Sequence, residues 1–571
     1  MFKKRFIKKT MKRLVSLLLV LTVMIGLFVP FDLSVFAEEE AATGNSIYAM
    51  LYKYVNNQYE LVIQNGNDVD PNKELVKSYS GFADTVNTQK ESWIAPWKDE
   101  RKGIKRVTIR DKIAPKSIDG WFYEMTQLKS SELLHLENLD TSSCEYMRYT
   151  FSKSGLEKLD LRSFDVSKVK SAYATFFVCS SLTDLNISNW TLSNVGSDGS
   201  GNMESFLQAT GLETIDLSSL NLQRCLNLRS MLKGNTKLKN IIFGEVFTVG
   251  ELTEQTNPQV SLYQMFEGCT ALETLDLSSW NVYYCQDCTN MFLNCSALTD
   301  VNFDGGTWSS VPGNAIYPNA FEGCTSLVTL KPSFMTSYLF SPSIFKGCES
   351  LKELDLSSVG TDENIRPGFK YSDLSNKANI FEGCDELTIV TLSAGWPSKT
   401  GYAGTSIPVK GTWKKVAMAE IPQSDEVEVG TVLTNDELFG KFQEKYAGKW
   451  AAESTITFKG NGGSPNYQTI KGVKGDSISI DPDTLPVERN GYDFDGWYKT
   501  KDPQDGEEKL KTGDVIDAWN YYARWTPHHY TLKLNGNGGK DKNNNRLHIL
   551  LYRFAERYQG RLHRPKRLLA G

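Results

Sequence analysis

Apolar and polar positions follow one template for nearly half of this chain. In Phe266-Glu-Gly-Cys-Thr-Ala-Leu-Glu-Thr-Leu-Asp-Leu-Ser-Ser-Trp280 an aromatic anchor leads. Cys follows three residues later, and apolar residues follow six, nine, eleven and fourteen later. Anchors recur at Phe151, Phe176, Phe206, Leu232, Phe266, Phe292, Phe321, Phe345 and Phe381, in steps of 25, 30, 26, 34, 26, 29, 24 and 36 residues. The copy at Phe151 is one residue shorter, and a degenerate first copy lies in Trp121–Asp140. One such unit cannot bury its apolar face alone, so neighbouring copies must stack into a solenoid. The irregular steps are insertions such as Gly196–Asn202 and Glu251–Val260, which predict loops on one face.

Within each copy, Leu-x-x-Leu-Asp-Leu-Ser alternates apolar and polar, the signature of a short strand with one face inward. Leu275 and Leu277 should be buried and Asp276 exposed. The preceding Phe-x-Gly-Cys-x-x-Leu reads as a turn or a single helical turn. Stacked strands would form a parallel sheet with a spacing of about 4.8 Å. Its outward positions make a ladder of Asp160, Asn186, Asp216, Asp276, Asn302 and Asp355, followed by Ser188, Ser218, Ser278, Ser357 and Ser393. A solvated strand face explains this ladder, because a solenoid sheet needs polar outer positions. It is also the candidate ligand-binding face, able to grip a glycan, a host protein or a cation. Trp190, Trp280 and Trp308 are candidate aromatic platforms, although the first two share a repeat position that suits the core.

The phrases Leu136-Glu-Asn-Leu-Asp-Thr-Ser, Met265-Phe-Glu-Gly-Cys-Thr-Ala-Leu and Leu275-Asp-Leu-Ser-Ser-Trp resemble the BspA-like leucine-rich repeat of bacterial surface proteins. So does the lead-in Ala95-Pro-Trp-Lys-Asp followed by Ile104-Lys-Arg-Val-Thr-Ile. The resemblance covers residues 46–396. It implies a surface-exposed adhesin, in a family whose ligand differs from member to member.

Beyond residue 396 the template stops. Residues 397–452 read as a cap and spacer, with a short helix at 434–446 that opens on N-cap residues and early acids. Thr455-Ile-Thr-Phe-Lys-Gly-Asn-Gly-Gly463, Asn490-Gly-Tyr-Asp-Phe-Asp-Gly-Trp-Tyr498 and Tyr522-Ala-Arg-Trp525 resemble the internalin-type B repeat, also known as the Listeria–Bacteroides repeat. That resemblance spans residues 453–527 and implies a small β-grasp-like module, often a stalk near the cell wall. A second copy opens at Tyr530 and reaches Gly539. Residues 540–571 then carry nine Lys or Arg against two acids. The expectation is a truncated second B-repeat over 528–571, with an aberrant basic tail from a frameshifted or misassembled end.

The organisation expected is therefore a signal peptide (1–37), an N-terminal cap region (38–120), a leucine-rich repeat solenoid with a parallel sheet on one face (121–396), a cap and spacer (397–452), and the C-terminal modules. The signal combines seven basic residues, an apolar run over Leu14–Val29 and Val35-Phe-Ala37 before the cut. Its removal takes the net charge from −5 to −11, with 56 basic and 67 acidic residues remaining. That balance does not suggest a nucleic-acid partner. The remaining chain has no second apolar stretch long enough to span a membrane. It also lacks a Leu-Pro-x-Thr-Gly sorting motif, so wall association is expected through missing C-terminal sequence.

Chemistry is sparse. His135 is the only histidine before residue 528, and no carboxylate pair stands out, so no catalytic, cofactor or metal site is assigned. Six cysteines, at 179, 269, 295, 324, 348 and 384, share one repeat position, which also accepts Ser154, Ala209 and Asn235. That tolerance favours buried free thiols over disulfides between neighbouring copies, although the strand spacing would allow the latter. Cys285-x-x-Cys288 lacks a second pair at metal spacing and any thioredoxin-like context. The leading function is a secreted, cell-surface-associated adhesin that binds a host or bacterial surface protein or glycan. The alternatives are a structural surface-layer or spacer protein and, remotely, a glycan-degrading enzyme.

Overall fold

In the computed structural model, the described residues are 46–529 except 84–94, 199–201, 252–258, 311–316, 336–342, 359–379, 395–410, 420–424, 441–442, 474 and 503–505. The expected signal peptide and the basic tail lie outside them.

The chain enters through a hairpin of β1 (Ile47–Lys53) and β2 (Tyr59–Asn65), with β3 (Leu75–Ser80) antiparallel on the outer edge of β1. β4 (Ile104–Ile109) joins β2 in parallel, and β5 (Leu133–Leu134) joins β4 in parallel. The pairing therefore turns from antiparallel to parallel as the first repeat copy is reached. Trp97 and Trp121 pack edge-on beneath this sheet, and Trp97 Nε1 donates to Trp121 O at 2.9 Å.

The copies stack through their turns. Phe266 N–H donates to Met291 O (2.9 Å) and Gly268 N–H to Leu293 O (2.8 Å), both in the next copy. The N–H groups between them bond backwards within the copy, Glu267 to Gln264 O (3.2 Å) and Cys269 to Phe266 O (3.1 Å). Donors thus alternate between neighbour and self. The alternation depends on two left-handed residues per copy, such as Gln264 (φ +58°) and Gly268 (φ +72°), or Ala174 and Val178. This turn ladder runs from Ile118, bonded to Tyr146 O, to Gly347, bonded to Glu382 O. It is neither an isolated turn nor a helical turn. The anchors stack inside it: Phe122 on Phe151 (5.0 Å) and Phe266 on Phe292 (5.2 Å), each pair within 4° of parallel.

The strands are β6 (Lys158–Asp160), β7 (Asp184–Asn186), β8 (Thr214–Asp216), β9 (Asn240–Ile242), β10 (Phe247–Val249), β11 (Val260–Ser261), β12 (Thr274–Asp276), β13 (Trp280–Asp287), β14 (Asp300–Asn302), β15 (Thr307–Ser310), β16 (Thr329–Leu330), β17 (Glu353–Leu356) and β18 (Ile389–Leu392). Leu275 and Leu277 are buried and Asp276 is exposed, as the alternation requires. The single parallel sheet expected on one face is not formed. The strands pair in parallel and in register, but as the separate groups β6–β7, β8–β9, β12–β14 and β16–β17–β18. The breaks fall at the 30-, 34- and 29-residue steps, and most unbroken pairs have steps of 24 to 26. At the 29-residue step one backbone bond still crosses just before the strands, from Val328 N–H to Thr299 O (3.2 Å), but the strands themselves do not pair. The 36-residue step between β17 and β18 keeps its pairing, and nothing in the structure explains that exception. β10, β11 and β15 pair with β13 in a further parallel group.

One copy has a different register from the sequence reading. Leu207, not Phe206, donates in the anchor position, to Met231 O at 2.8 Å. Thr210, not Ala209, then falls where other copies carry Cys, so this copy is one residue short, like the one at Phe151. Both short copies have a glycine where the chain crosses its predecessor closely. A Cβ on Gly155 would lie 2.3 Å from Thr126 O, and one on Gly211 would lie 2.5 Å from Ser180 O.

β21 (Gly448–Ala452) adds antiparallel to β18, then β19 (Thr412–Ala417) and β20 (Val432–Thr434) follow. The expected helix at 434–446 is instead a five-residue π-type turn, Asp436–Gly440, and a 3₁₀ turn, Glu444–Tyr446. Its predicted start is present as a reciprocal cap, with Thr434 N–H donating to Glu437 Oε2 (2.8 Å) and Glu437 N–H to Thr434 Oγ1 (3.3 Å).

The C-terminal module is a four-stranded mixed sheet in the order β23 (Tyr467–Gly472), β22 (Ser454–Lys459), β25 (Asn520–Pro527), β24 (Tyr492–Tyr498). Its core gathers Ile456, Phe458, Trp497 and Tyr521. The β-grasp-like description is not supported. Among the described residues of 453–527 the helical element is one 3₁₀ turn, Pro482–Thr484, too short to be a helix lying across a sheet.

Candidate functional site

The short repeat strands show two outward residues around one inward residue, as in Thr274-Leu275-Asp276, with the inward Leu185 and Ile241 only half-buried. The six ladder residues occupy the second outward position. Asp160, Asp216, Asp276 and Asn302 are exposed, and Asn186 and Asp355 are half-buried. All six do the same local work, because one Oδ accepts the backbone N–H two residues on. The donors are Arg162 (3.3 Å), Ser188 (3.2 Å), Ser218 (2.9 Å), Ser278 (3.0 Å), Asp304 (3.0 Å) and Ser357 (2.9 Å). These are Asx turns, which satisfy a donor as the strand ends. Short polar side chains are therefore required here whether or not a ligand exists.

The structure brings only some of the six together. Asp160 lies opposite Asn186, and Asp276 opposite Asn302, whose Nδ2 donates to Asp276 Oδ1 at 3.0 Å. Asp216 faces Ile242, which is 47% exposed, and Asp355 faces Thr391. The line is thus interrupted by an apolar residue in the copy at Leu232, where Val246 is also exposed. Asp160 is engaged by the Arg162 guanidinium at 2.6 to 3.2 Å, and these hydrogen bonds hold its carboxyl below the usual range.

A second row runs alongside, two residues earlier on each strand: Lys158, Asp184, Thr214, Asn240, Thr274, Asp300, Thr329 and Glu353. All but Glu353 are exposed. The sequence reading passed over this row, although the same alternation marks it. Its chemistry changes from copy to copy, and its members are not held in Asx turns. Lys158 and Asp184 approach to 3.7 Å in a fully exposed pair, which leaves both available to solvent.

The other candidates are structural. Trp190 and Trp280 are buried, and Trp308 is packed against the core on Trp280 at 5.8 Å. None of the three offers an open platform. His135 is exposed and pairs with Glu137 at 3.2 Å. Among the described residues no group of three or more His, Cys, Asp or Glu could hold a metal ion, and no helix is long and apolar enough to cross a membrane.

All ten cysteines are buried, and none is joined in a disulfide. The six in the shared repeat position do one thing. Each Sγ donates to the carbonyl of the preceding copy's anchor, from Cys179 to Phe151 (2.9 Å) to Cys384 to Phe345 (3.0 Å). Asn235 does the same with Nδ2, to Leu207 O at 2.8 Å. The position therefore selects for a small buried donor. Burial pushes the Cys179 thiol up to about 11, and those of Cys144, Cys225, Cys269 and Cys324 up to about 12.

With this geometry in place, likeness to known proteins becomes informative. Residues 314–395 match the model of the BspA type leucine rich repeat region, and residues 455–516 that of the Listeria-Bacteroides repeat domain. The chain carries a BspA-type leucine-rich repeat region and a Listeria–Bacteroides repeat. The BspA-type match is narrower than the resemblance read from the sequence. Residues 116–244 and 201–328 instead match a family described as Mycoplasma protein of unknown function, DUF285. Two relatives come from Evansella cellulosilytica. A "Putative membrane protein" is 27% identical over 143 residues, 25% of this chain and 18% of its own. A "Putative Gly-rich membrane protein" is 32% identical over 92 residues, 16% of this chain and 10% of its own. The chain thus spans a small part of each. Among solved structures, a leucine-rich repeat protein from Eubacterium ventriosum is similar at 15% identity, with 61% of this chain and 85% of that chain covered and a TM-score of 0.23.

Proposed function

We propose that this chain is a bacterial surface-associated binding protein, an adhesin. Its repeat region recognises a protein or glycan of a host or neighbouring cell, and its Listeria–Bacteroides repeat spaces that region from the wall. The BspA-type region and the relatives' membrane-protein names support a surface setting. The observation that carries the binding role is the first outward row. It varies in charge and size from Lys158 to Glu353 over a scaffold whose inward positions barely change. Apart from the ion pairs of Lys158 with Asp184 and of Glu353 with Lys449, these side chains are held in no Asx turn, and polar exposed side chains of that kind are the ones a ligand can select. The six Asp and Asn residues contribute at most the carboxylate oxygen or the amide nitrogen that their turns do not use.

One observation favours the second reading, a spacer without a specific ligand: the ladder residues most regular in sequence are the ones tied into the backbone. The two readings separate in one experiment. The chain lacking residues 1–37 is applied to a glycan array and to immobilised collagen, fibrinogen and fibronectin. Under the adhesin reading one class of probe is retained, and Thr214→Lys with Thr274→Lys reduces retention at least tenfold without changing the thermal midpoint. Retention of no probe, or retention indifferent to both substitutions, supports the spacer.

A further inference from the structure

Eight of the ten thiols are aimed at carbonyl oxygens. Six meet anchor carbonyls, and Cys144 and Cys225 meet the carbonyls two residues on, Tyr146 (3.3 Å) and Asn227 (3.6 Å). Cys285 holds the same place in its own copy. Like Tyr146 and Asn227, Asp287 is the residue that bridges to the neighbouring copy, here at Ser261. Yet the Cys285 thiol does not follow the pattern. Its Sγ lies 3.1 Å from Cys288 Sγ. On a regular strand, side chains three residues apart face opposite sides. Here β13 ends at Asp287, its register against β15 shifts between Val282 and Cys285, and Tyr284 is left-handed (φ +58°). That local irregularity turns both sulfurs to one side.

We infer that Cys285 and Cys288 form a disulfide when the chain folds in the presence of an oxidant, while the other eight cysteines stay as thiols. Closure to a bond of about 2.0 Å needs only a small side-chain movement. The oxidant is a small-molecule disulfide such as oxidised glutathione. The thiolate of one cysteine attacks it, forming a mixed disulfide and releasing one glutathione thiolate. The second cysteine displaces the other glutathione. Two cysteine thiols lose two electrons and two protons, and one disulfide is reduced to two thiols.

Both groups are buried in the finished fold, Cys288 completely, and burial pushes the Cys288 thiol well above its ordinary range. Oxidation therefore belongs to the folding chain, before packing of the neighbouring copies buries the pair. The Cys348 and Cys384 thiols also influence each other, but each already has a carbonyl acceptor. The inference is independent of whether the repeat region binds a ligand.

The full chain is refolded in a reduced and oxidised glutathione buffer, acid-quenched, denatured and alkylated without reductant. Digestion before aspartate cuts between the two cysteines, at Asp287. Peptides 276–286 and 287–299 should stay joined until reductant is added, with Cys295 carrying the alkyl label and the whole chain carrying eight labels instead of ten. In Cys288→Ser, Cys285 should be fully labelled. Ten labels on the refolded wild type would overturn the inference. So would a Cys269–Cys295 or Cys348–Cys384 cross-link in its place, or peptides still joined in Cys288→Ser, which would make Cys295 the partner.

Discussion

The turn side and the strand side of the repeat region are made from the same copies and behave differently. The turn ladder is continuous through copies of unequal length, because every second N–H is given to the neighbour and the anchors stack in register. The strand side breaks into separate groups at the 30-, 34- and 29-residue steps. Continuity is thus assigned to the buried, hydrogen-bonded side, and variation to the side that meets solvent. A repeat protein that must change its outer surface over time needs a division of this kind.

The largest test of that contrast is pH. An unfolded thiol ionises near pH 8.5, whereas burial in the turn side pushes Cys179 to about 11 and Cys269 and Cys324 to about 12. Their protonated forms stabilise the fold fully below the unfolded value. The contribution is lost as pH rises above it, at about 1.4 kcal/mol per thiol per pH unit, until the folded values are reached. Urea midpoints measured from pH 7 to 10 should fall steeply above 9, and less steeply when Cys179, Cys269 and Cys324 are all replaced by Ser. Acid should do little by comparison at Asp160, whose lowered carboxyl is exposed and whose help fades only as pH falls through its folded value. An equal or greater loss on the acid side would contradict the assignment of stability to the turns.

Next in size is the anchor stack. Phe292 is fully buried between Phe266 (5.2 Å) and Phe321 (4.9 Å), so Phe292→Ala should cost about 4 kcal/mol in equilibrium unfolding. A cost below about 2 kcal/mol would mean that neighbouring copies collapse into the space.

Smaller effects should follow the left-handed positions. Gly268→Val puts a β-branched residue at φ +72°, where its Cβ would meet the Gly234 backbone at an ordinary contact distance of 3.7 Å, so the penalty is chiefly conformational, about 1 to 2 kcal/mol. Val178 already sits in the equivalent place at φ +55°, and Val178→Gly should raise the thermal midpoint. If both substitutions lowered it, packing rather than backbone strain would govern the ladder. Smallest should be Asp276→Ala on the strand side, which removes an exposed Asx turn and one bond from Asn302, at about 0.5 kcal/mol.

Much of this was legible in the sequence, because the anchors and strand alternation obey periods that burial imposes. Leu275 and Leu277 were placed from spacing alone. The copy at Phe206 was misread because Phe206 and Leu207 are both apolar, and only the backbone donor shows which one occupies the anchor. The Asx turns were written in the Asp-x-Ser spacing, but the same residues also fit a ligand ladder, and spacing does not separate the two. The broken strand face depends on where inserted residues go in space. The helix expected at 434–446 had its capping signal, yet the chain after it packs as two short turns around Phe439 and Tyr446. Local signals start a helix without deciding its length.

The alternation of self and neighbour bonds in the turn ladder also has a mechanical meaning. A stack held by nearest-neighbour bonds has no single point at which it must fail at once. Drawn from one end, it would give way one copy at a time. Each 26-residue copy would release roughly 90 Å of extended chain. The same bonds that carry stacking past irregular insertions would make the molecule a graded shock absorber, lengthening under load while the copies not yet reached keep their shape.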